Sequence, residues 1–365
     1  MTAALRLWPN LLLDAFYVVG LGVAAMFFIA TQRATSARWS AGLRRVPEAL
    51  MGTLPVTVLL LIPIIAIASA RHTLYPWSRA GAFAHEPAIA GKVQYLQGPF
   101  VAARIAVVLA VWVLFAAAFR RASLAQDRSS DGGLHHHHRL DRLGAGFIVV
   151  FALTITLAAY DWLAALDPGW SSTMFAVYIF AGTFVQGIAA VTLATTRVAR
   201  RQPLAQQVGG DQLHDLGKML FAFSIFWAYI WVCQYLLIWY GNIPEEATHY
   251  LTRTRGPWLP LFVLNVVINW VVPFLGLLSA SAKRNPRRLA LIASIVLAGH
   301  WLDLYLVIMP SVWPEPRLGL VELALAAGYA ALLVALFRRQ LARAPLVPVH
   351  EPMLPSGAAP RKEIA

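Results

Sequence analysis

Nine runs of predominantly apolar residues, near 11–30, 49–70, 99–119, 144–166, 173–196, 216–240, 257–281, 288–309 and 318–337, dominate the chain. About 20 residues of α-helix, rising 1.5 Å each, cross a hydrocarbon core about 30 Å thick. Lipid offers the backbone no hydrogen-bond partner, so a spanning segment has to satisfy its own N–H and C=O groups as a helix. The clearest run lies within His214 to Glu246. It holds no formally charged residue from Met219 to Tyr240, opens on His214, Asp215 and Lys218, and leaves through Trp239, Tyr240 and Pro244. Charge at one end and aromatic rings at the other suit the two membrane interfaces. The expected fold class is an all-α polytopic membrane protein with about nine transmembrane helices.

Composition agrees, since 59% of the 365 residues are hydrophobic and 13% charged, against about 25% charged in soluble proteins. The first run, Leu11 to Ala30, is long enough to span and lacks a small-residue cleavage site, so a retained helix is expected there rather than a signal peptide. A net charge of +13 would suggest nucleic acid in a soluble protein, but here the cations sit in short connections. Twenty-one of the thirty Lys and Arg fall in alternate connections, within 33–45, 120–142, 197–201, 283–288 and 338–362. The intervening connections hold Arg6, Arg71, Arg79, Lys92, Arg253, Arg255 and Arg317. The positive-inside rule then places the amino terminus outside and the carboxyl terminus in the cytoplasm, in a bacterial inner membrane. One cysteine, Cys233, excludes disulfides, thiolate metal sites, iron–sulfur clusters and Cys-x-x-Cys-His haem attachment within the chain. A bis-histidine haem is disfavoured, because only His300 lies clearly inside a run. No cofactor or metal is expected in this chain.

The runs repeat in fours. The fourth ends Tyr160-Asp161-Trp162-Leu163, then Pro168 and Trp170; the eighth ends Trp301-Leu302-Asp303-Leu304-Tyr305, then Pro310 and Trp313. In both, proline follows aspartate by seven residues. The second and sixth also match in plan, opening on Arg44, Arg45 and Glu48 in one and His214, Asp215 and Lys218 in the other. Four helices separate the copies, which gives them parallel topology. The expected plan is a four-helix bundle over 1–170 with a polar inner loop at 122–143, and a second bundle over 171–312. A flanking helix over 313–343 and a disordered tail over 344–365 complete it. The run His135–His138 is read as a solvated part of the inner loop. Chance similarity between two Asp-bearing helices is the competing explanation of the repeat.

Ionisable groups at membrane depth cost about 2.5–3.5 kcal/mol on insertion scales and usually face a protein interior or a proton path. Toward the outer side lie Asp161, the His300/Asp303 pair spaced i,i+3, Arg104 and Glu322, with Asn265 and Asn269 forming a polar stripe at mid-depth. Toward the inner side lie Glu48 with Arg44 and Arg45, and His214, Asp215 and Lys218. An aromatic middle that includes Phe223, Trp227 and Trp231 separates the two groups, a layout resembling two proton half-channels. The competing role for each group is interhelical hydrogen bonding or interfacial anchoring.

Four stretches, LRRVPEAL (43–50), YDWLAALDPGWSSTMFAVYIFAG (160–182), HDLGKMLFAFSIFWAYIWVCQYLLIWYGNIPEE (214–246) and HWLDLYLVIMP (300–310), occur in the same order as signature stretches of a known family. In them the chain resembles the NrfD-like membrane subunits of alternative complex III, a bacterial quinol:cytochrome c oxidoreductase, in the ActF branch. The resemblance runs from about residue 10 to 337. It implies two four-helix bundles and support of quinol oxidation with proton conduction. It also implies partner subunits that carry iron–sulfur clusters and haem c, together with a sister NrfD-like subunit in which the family's quinol site lies; quinone is a possible ligand of this chain. Family members often have one more helix before the first bundle. A secondary transporter with a midplane site and a purely structural anchor remain open as alternatives.

Overall fold

The computed structural model describes residues 3–79, 81, 91–129, 134–202 and 204–354, the side chains of 3–5 excepted. Nine helices among them are long and apolar enough to cross a membrane: α1 Arg6–Ala34, α2 Arg45–Ala66, α3 Gly98–Gln126, α4 Leu134–Leu166, α5 Phe175–Val198, α6 Gly210–Gly241, α7 Gly256–Gly276, α8 Pro286–Ser311 and α9 Leu320–Leu341. No strand occurs among the described residues. Large apolar side chains such as Leu114, Leu153, Leu237 and Trp239 face outward, an apolar surface that lipid tolerates and water does not. The chain is a multi-pass membrane protein. The carboxyl ends of α1, α3, α5, α7 and α9 share one face, here the basic face, with the amino ends of α2, α4, α6 and α8.

Two of the helices form the centre. In α1 and α5, 94% and 83% of the most apolar window lies inside the protein, against 11% in α9. Helix α1 packs on α2, α4, α5 and α9, while α5 packs on α1, α6 and α8. Helices α3 and α4 pair, as do α7 and α8. Two rings of four helices thus meet through the first member of each. The α1–α5 approach depends on Gly187, where a Cβ would lie 2.3 Å from the Cβ of Ala24. Without a dominant hydrophobic drive between helices in lipid, close backbone contact at small residues provides the packing energy.

Prolines interrupt the regular pattern. Pro55 and Pro63 divide α2 into short helical pieces, ending at Ile67 with extended backbone, because each proline removes a donor and crowds the preceding turn. Helix α4 ends in a π-helical turn, Ala159–Leu163, and α7 contains another, Val267–Val271. These breaks fall in different members of the two rings, α2 and α4 in the first and α7 in the second.

Two sequence expectations are corrected. The inner loop expected over 122–143 is mostly helix, since α3 continues to Gln126 and α4 begins at Leu134. His135–His138 therefore lie in the first turns of α4, where His137 Nδ1 is 2.9 Å from Arg33 and 3.1 Å from Glu351. Helical hydrogen bonding does not stop at the hydrocarbon boundary, and long cationic side chains reach back to the interface. The tail expected to be disordered from 344 instead folds back over residues 344–354, with Val347 and Glu351 buried. Glu351 drives this, bonding Arg33 at 2.8 Å and also Arg44. Residues 355–365 lie outside the described residues.

Candidate functional site

Asp303 lies on α8, buried where all four helices of the second ring converge. Its Oδ1 accepts from Tyr178 Oη on α5 and, at 2.7 Å, from Asn265 Nδ2 on α7. Its Oδ2 accepts from Trp227 Nε1 on α6 at 3.1 Å and lies 3.7 Å from His300 Nδ1, one turn earlier on α8. Asn269 Nδ2 donates to Asn265 Oδ1 at 2.7 Å, which turns the Asn265 amide nitrogen toward the carboxylate. Gly299 makes this possible, since a Cβ there would stand 2.3 Å from Asn269 Oδ1. Among the described residues no Lys or Arg forms an ion pair with Asp303.

One small cavity borders this carboxylate and a second lies beyond its partners Tyr178 and Asn265, each of about 20 Å³, room for a single water molecule. One is bordered by Gln186, Thr183, His300 and Asp303. The other is bordered by Asn265, Gln234, His249 and Arg253. Tyr178 borders both. From the first cavity, buried Thr183, Gln186, Thr192, Thr195 and Thr196 continue along α5 toward the basic face. Among the described residues, neither nitrogen of His300 has a hydrogen-bond partner, and neither have the hydroxyls of Thr192 and Thr195.

At the opposite face, the short helix Pro244–Arg253 closes the second cavity. Pro310 brings no N–H to the carbonyl of Leu306, four residues earlier. Arg253 supplies donors instead, with Nε bonding Leu306 O at 2.8 Å and Nη2 bonding Val307 O at 3.0 Å. Burial lowers the Arg253 pKa to about 10, with Tyr250, Asp167 and Tyr178 opposing the shift. The repeated proline thus ends each helix and leaves carbonyls for polar side chains to bind. In the first ring those side chains are Trp77, which bonds Ala165 O at 3.0 Å, and Lys92, which bonds Pro168 O at 2.6 Å.

Asp161, the counterpart in the first ring, has a different environment. It sits in the π-helical turn and is held by both Arg104 Nε and Nη2, at 3.0 and 2.7 Å. The Arg104 guanidinium stacks 3.8 Å from the Tyr95 ring. A carboxylate in a bidentate ion pair gives up that pair when it takes a proton, whereas Asp303 faces neutral donors. Glu322 is likewise paired, with Arg6 at 2.7 Å. Asp161, Asp303 and Glu322 therefore lie in three separate sites.

The basic-face groups also separate. Glu48 is buried in a network in which Arg45 and Ser123 donate at 2.6 Å, Arg44 Nε lies at 2.9 Å and Asp127 and Glu351 balance the remaining charge. Glu351 feels opposed effects: burial raises its pKa, but Arg44, Arg33 and His137 outweigh this and set it below its ordinary value. Asp215 and Lys218 pair at 2.6 Å with the Lys218 side chain 56% exposed, and His214 beside them is half-buried. Among the described residues no hydrogen bond or ion pair joins that trio to Glu48 or to Asp303.

The sequence pointed to Asp303, His300, Asn265, Asn269 and Trp227, but not to Tyr178 or Gln186, because neutral polar residues on an apolar helix give no charge signal. Asp14 was also missed. It is an acid inside the first apolar run, buried, with Oδ1 accepting from Trp301 Nε1 at 2.8 Å. No group of three His, Cys, Asp or Glu side chains among the described residues has the geometry to hold a metal ion. Comparison with protein-family models and with curated proteins finds no match to this chain.

Proposed function

We propose that the chain is a proton-conducting membrane subunit of a quinol:cytochrome c oxidoreductase of the alternative complex III kind, as its resemblance to the NrfD-like subunits implies. The observation that carries the proton-conducting part is Asp303, a buried carboxylate with no Lys or Arg partner among the described residues, bordering one cavity of single-water size, with a second beyond its partners Tyr178 and Asn265. In this reading a proton reaches the His300 side through the polar stripe of α5. It resides on Asp303, and leaves past Tyr178 and Asn265 toward His249 and the opposite face. His300, 3.7 Å from Oδ2, stands beside the carboxylate on the entry side, while Trp227 fixes the carboxylate orientation.

The basic face is then cytoplasmic, by the positive-inside rule, and the membrane is the bacterial inner membrane. The first ring serves mainly to anchor: the Arg104–Asp161 pair and the Glu48 network favour a structural role there. Electron carriers belong to partners in this reading, an iron–sulfur subunit and c-type cytochromes, with a sister NrfD-like subunit beside this chain.

The test is a complex purified from membranes through a tag on this chain. Subunits carrying haem c and iron–sulfur clusters should co-purify, and Asp303→Asn should lower proton release by on the order of 10²-fold while leaving subunit content unchanged. Recovery of the chain alone would remove the assignment to a redox complex. Undiminished proton release in the variant would remove the path.

A further inference from the structure

A cavity of about 650 Å³ opens between α1, α5, α8 and α9, far larger than any space around Asp303 and not used by the proposed proton path. Its walls are apolar, formed by residues such as Leu21, Leu193, Leu297, Leu333 and Phe337. Arg197 at the end of α5, Arg201 just beyond it and Arg338 near the end of α9 border its basic-face end. All three arginines are exposed, and none of their side chains has an ion-pair partner among the described residues. On the same face Arg33, Arg44 and Arg45, which do not border the cavity, are instead paired with Glu351, Glu48 and Asp127.

We propose that this cavity is a binding site for one anionic phospholipid, its phosphate held by Arg197, Arg201 and Arg338 and an acyl chain lodged between α9 and the central helices. Guanidinium groups match phosphate oxygens in charge and in fork geometry. From Arg338 back to Ala326, the wall of α9 runs for twelve residues, about 18 Å at 1.5 Å per residue, comparable to one leaflet of a hydrocarbon core about 30 Å thick. The far end is poorly suited to a polar head group. The Trp301 indole N–H is already committed to Asp14, and the Tyr17 hydroxyl donates to Leu297 O at 2.7 Å. Three uncommitted cations at one end and committed donors at the other orient the occupant. The lipid also explains why α9, mostly outside the protein interior, stands off from α5 and α8 without collapsing onto them.

The experiment uses the full-length chain, purified in detergent and stripped of lipid. Phosphatidylglycerol should raise its melting temperature, with one lipid bound per chain by native mass spectrometry, whereas phosphatidylcholine and inorganic phosphate should leave it unchanged. Changing Arg197, Arg201 and Arg338 together to Gln should weaken phosphatidylglycerol binding by about tenfold or more, with the lipid-free melting temperature preserved. Ala330→Trp, which fills the cavity, should remove the bound lipid while the arginines remain. Equal stabilisation by phosphatidylcholine would overturn the head-group assignment, and stabilisation by phosphate alone would leave an anion site without a chain. Co-extraction of a quinone that is lost in Asp14→Asn but kept in the arginine variant would overturn the lipid altogether.

Discussion

The indole N–H of Trp227 meets the Asp303 carboxylate at 3.1 Å, in a cage that also contains Tyr178 and Asn265 but, among the described residues, no Lys or Arg. Trp227→Phe keeps the ring and removes the donor. The expected cost is about 1–3 kcal/mol of stability, read as a lowered melting temperature of the purified chain. Proton release by the complex should fall further than that of a control variant at a lipid-facing tryptophan such as Trp239→Phe. Equal behaviour of the two variants would show that the Trp227 contact has no bearing on the carboxylate.

Arg104 and Asp161 form a bidentate pair inside the first ring. Removing one partner leaves a buried charge uncompensated, so Arg104→Gln is expected to destabilise by about 3–5 kcal/mol. Adding Asp161→Asn should restore much of that loss. A double-mutant cycle on thermal inactivation in detergent measures this, and additive losses would show that the pair is not coupled.

The docked segment 344–354 depends on a carboxylate whose pKa lies below its ordinary value of 4.5, because Arg44, Arg33 and His137 outweigh the effect of burial on Glu351. A folded-state pKa below the unfolded one gives stability that is present above pH 4.5 and lost as pH falls through the lower folded value. Pepsin should therefore cut within 344–354 with sharply increasing rate as pH drops below this point. Glu351→Gln should be cut readily throughout pepsin's active range, without the same pH step. A wild-type cleavage rate that tracks pepsin activity alone would show that the segment is held by other contacts.

Gly187 sets the separation of α1 and α5, with Ala24 opposite. Gly187→Val is expected to separate the two rings at a cost of about 1–3 kcal/mol from overpacking, and paired replacement Ala24→Gly should recover part of it. Differential scanning fluorimetry on the four chains decides this. The same substitution at Gly146, which has open space around its Cβ position, should have little effect.

The nine helices were legible in the sequence because each apolar run has to satisfy its backbone internally, and length alone fixes what spans. Their ends were less so. Runs of hydropathy stop at the hydrocarbon boundary, whereas the hydrogen-bond ladder of α3 and α4 continues through Arg120, Arg121 and His135–His138. Asp303 and His300 stood out as charge inside apolar sequence. Tyr178 and Gln186 did not, since an uncharged polar residue facing inward has the same local pattern as one facing lipid.

The sequence by itself determined the class of the molecule, the alternation of its basic connections and the shared spacing of Asp161 and Asp303 from the prolines that follow them, all of which are properties of one segment or of fixed spacing. Only the tertiary structure decided that the two aspartates differ in kind. Arg104 lies 57 residues from Asp161 and Tyr178 lies 125 residues from Asp303, and no local pattern reports which side chain a packed helix brings opposite another. The same holds for Glu351, which composition assigned to a loose tail and which buried arginines draw into the protein. Partner choice at membrane depth is set by packing, because in low dielectric a charge is stabilised by the group it touches rather than by the residues beside it in sequence.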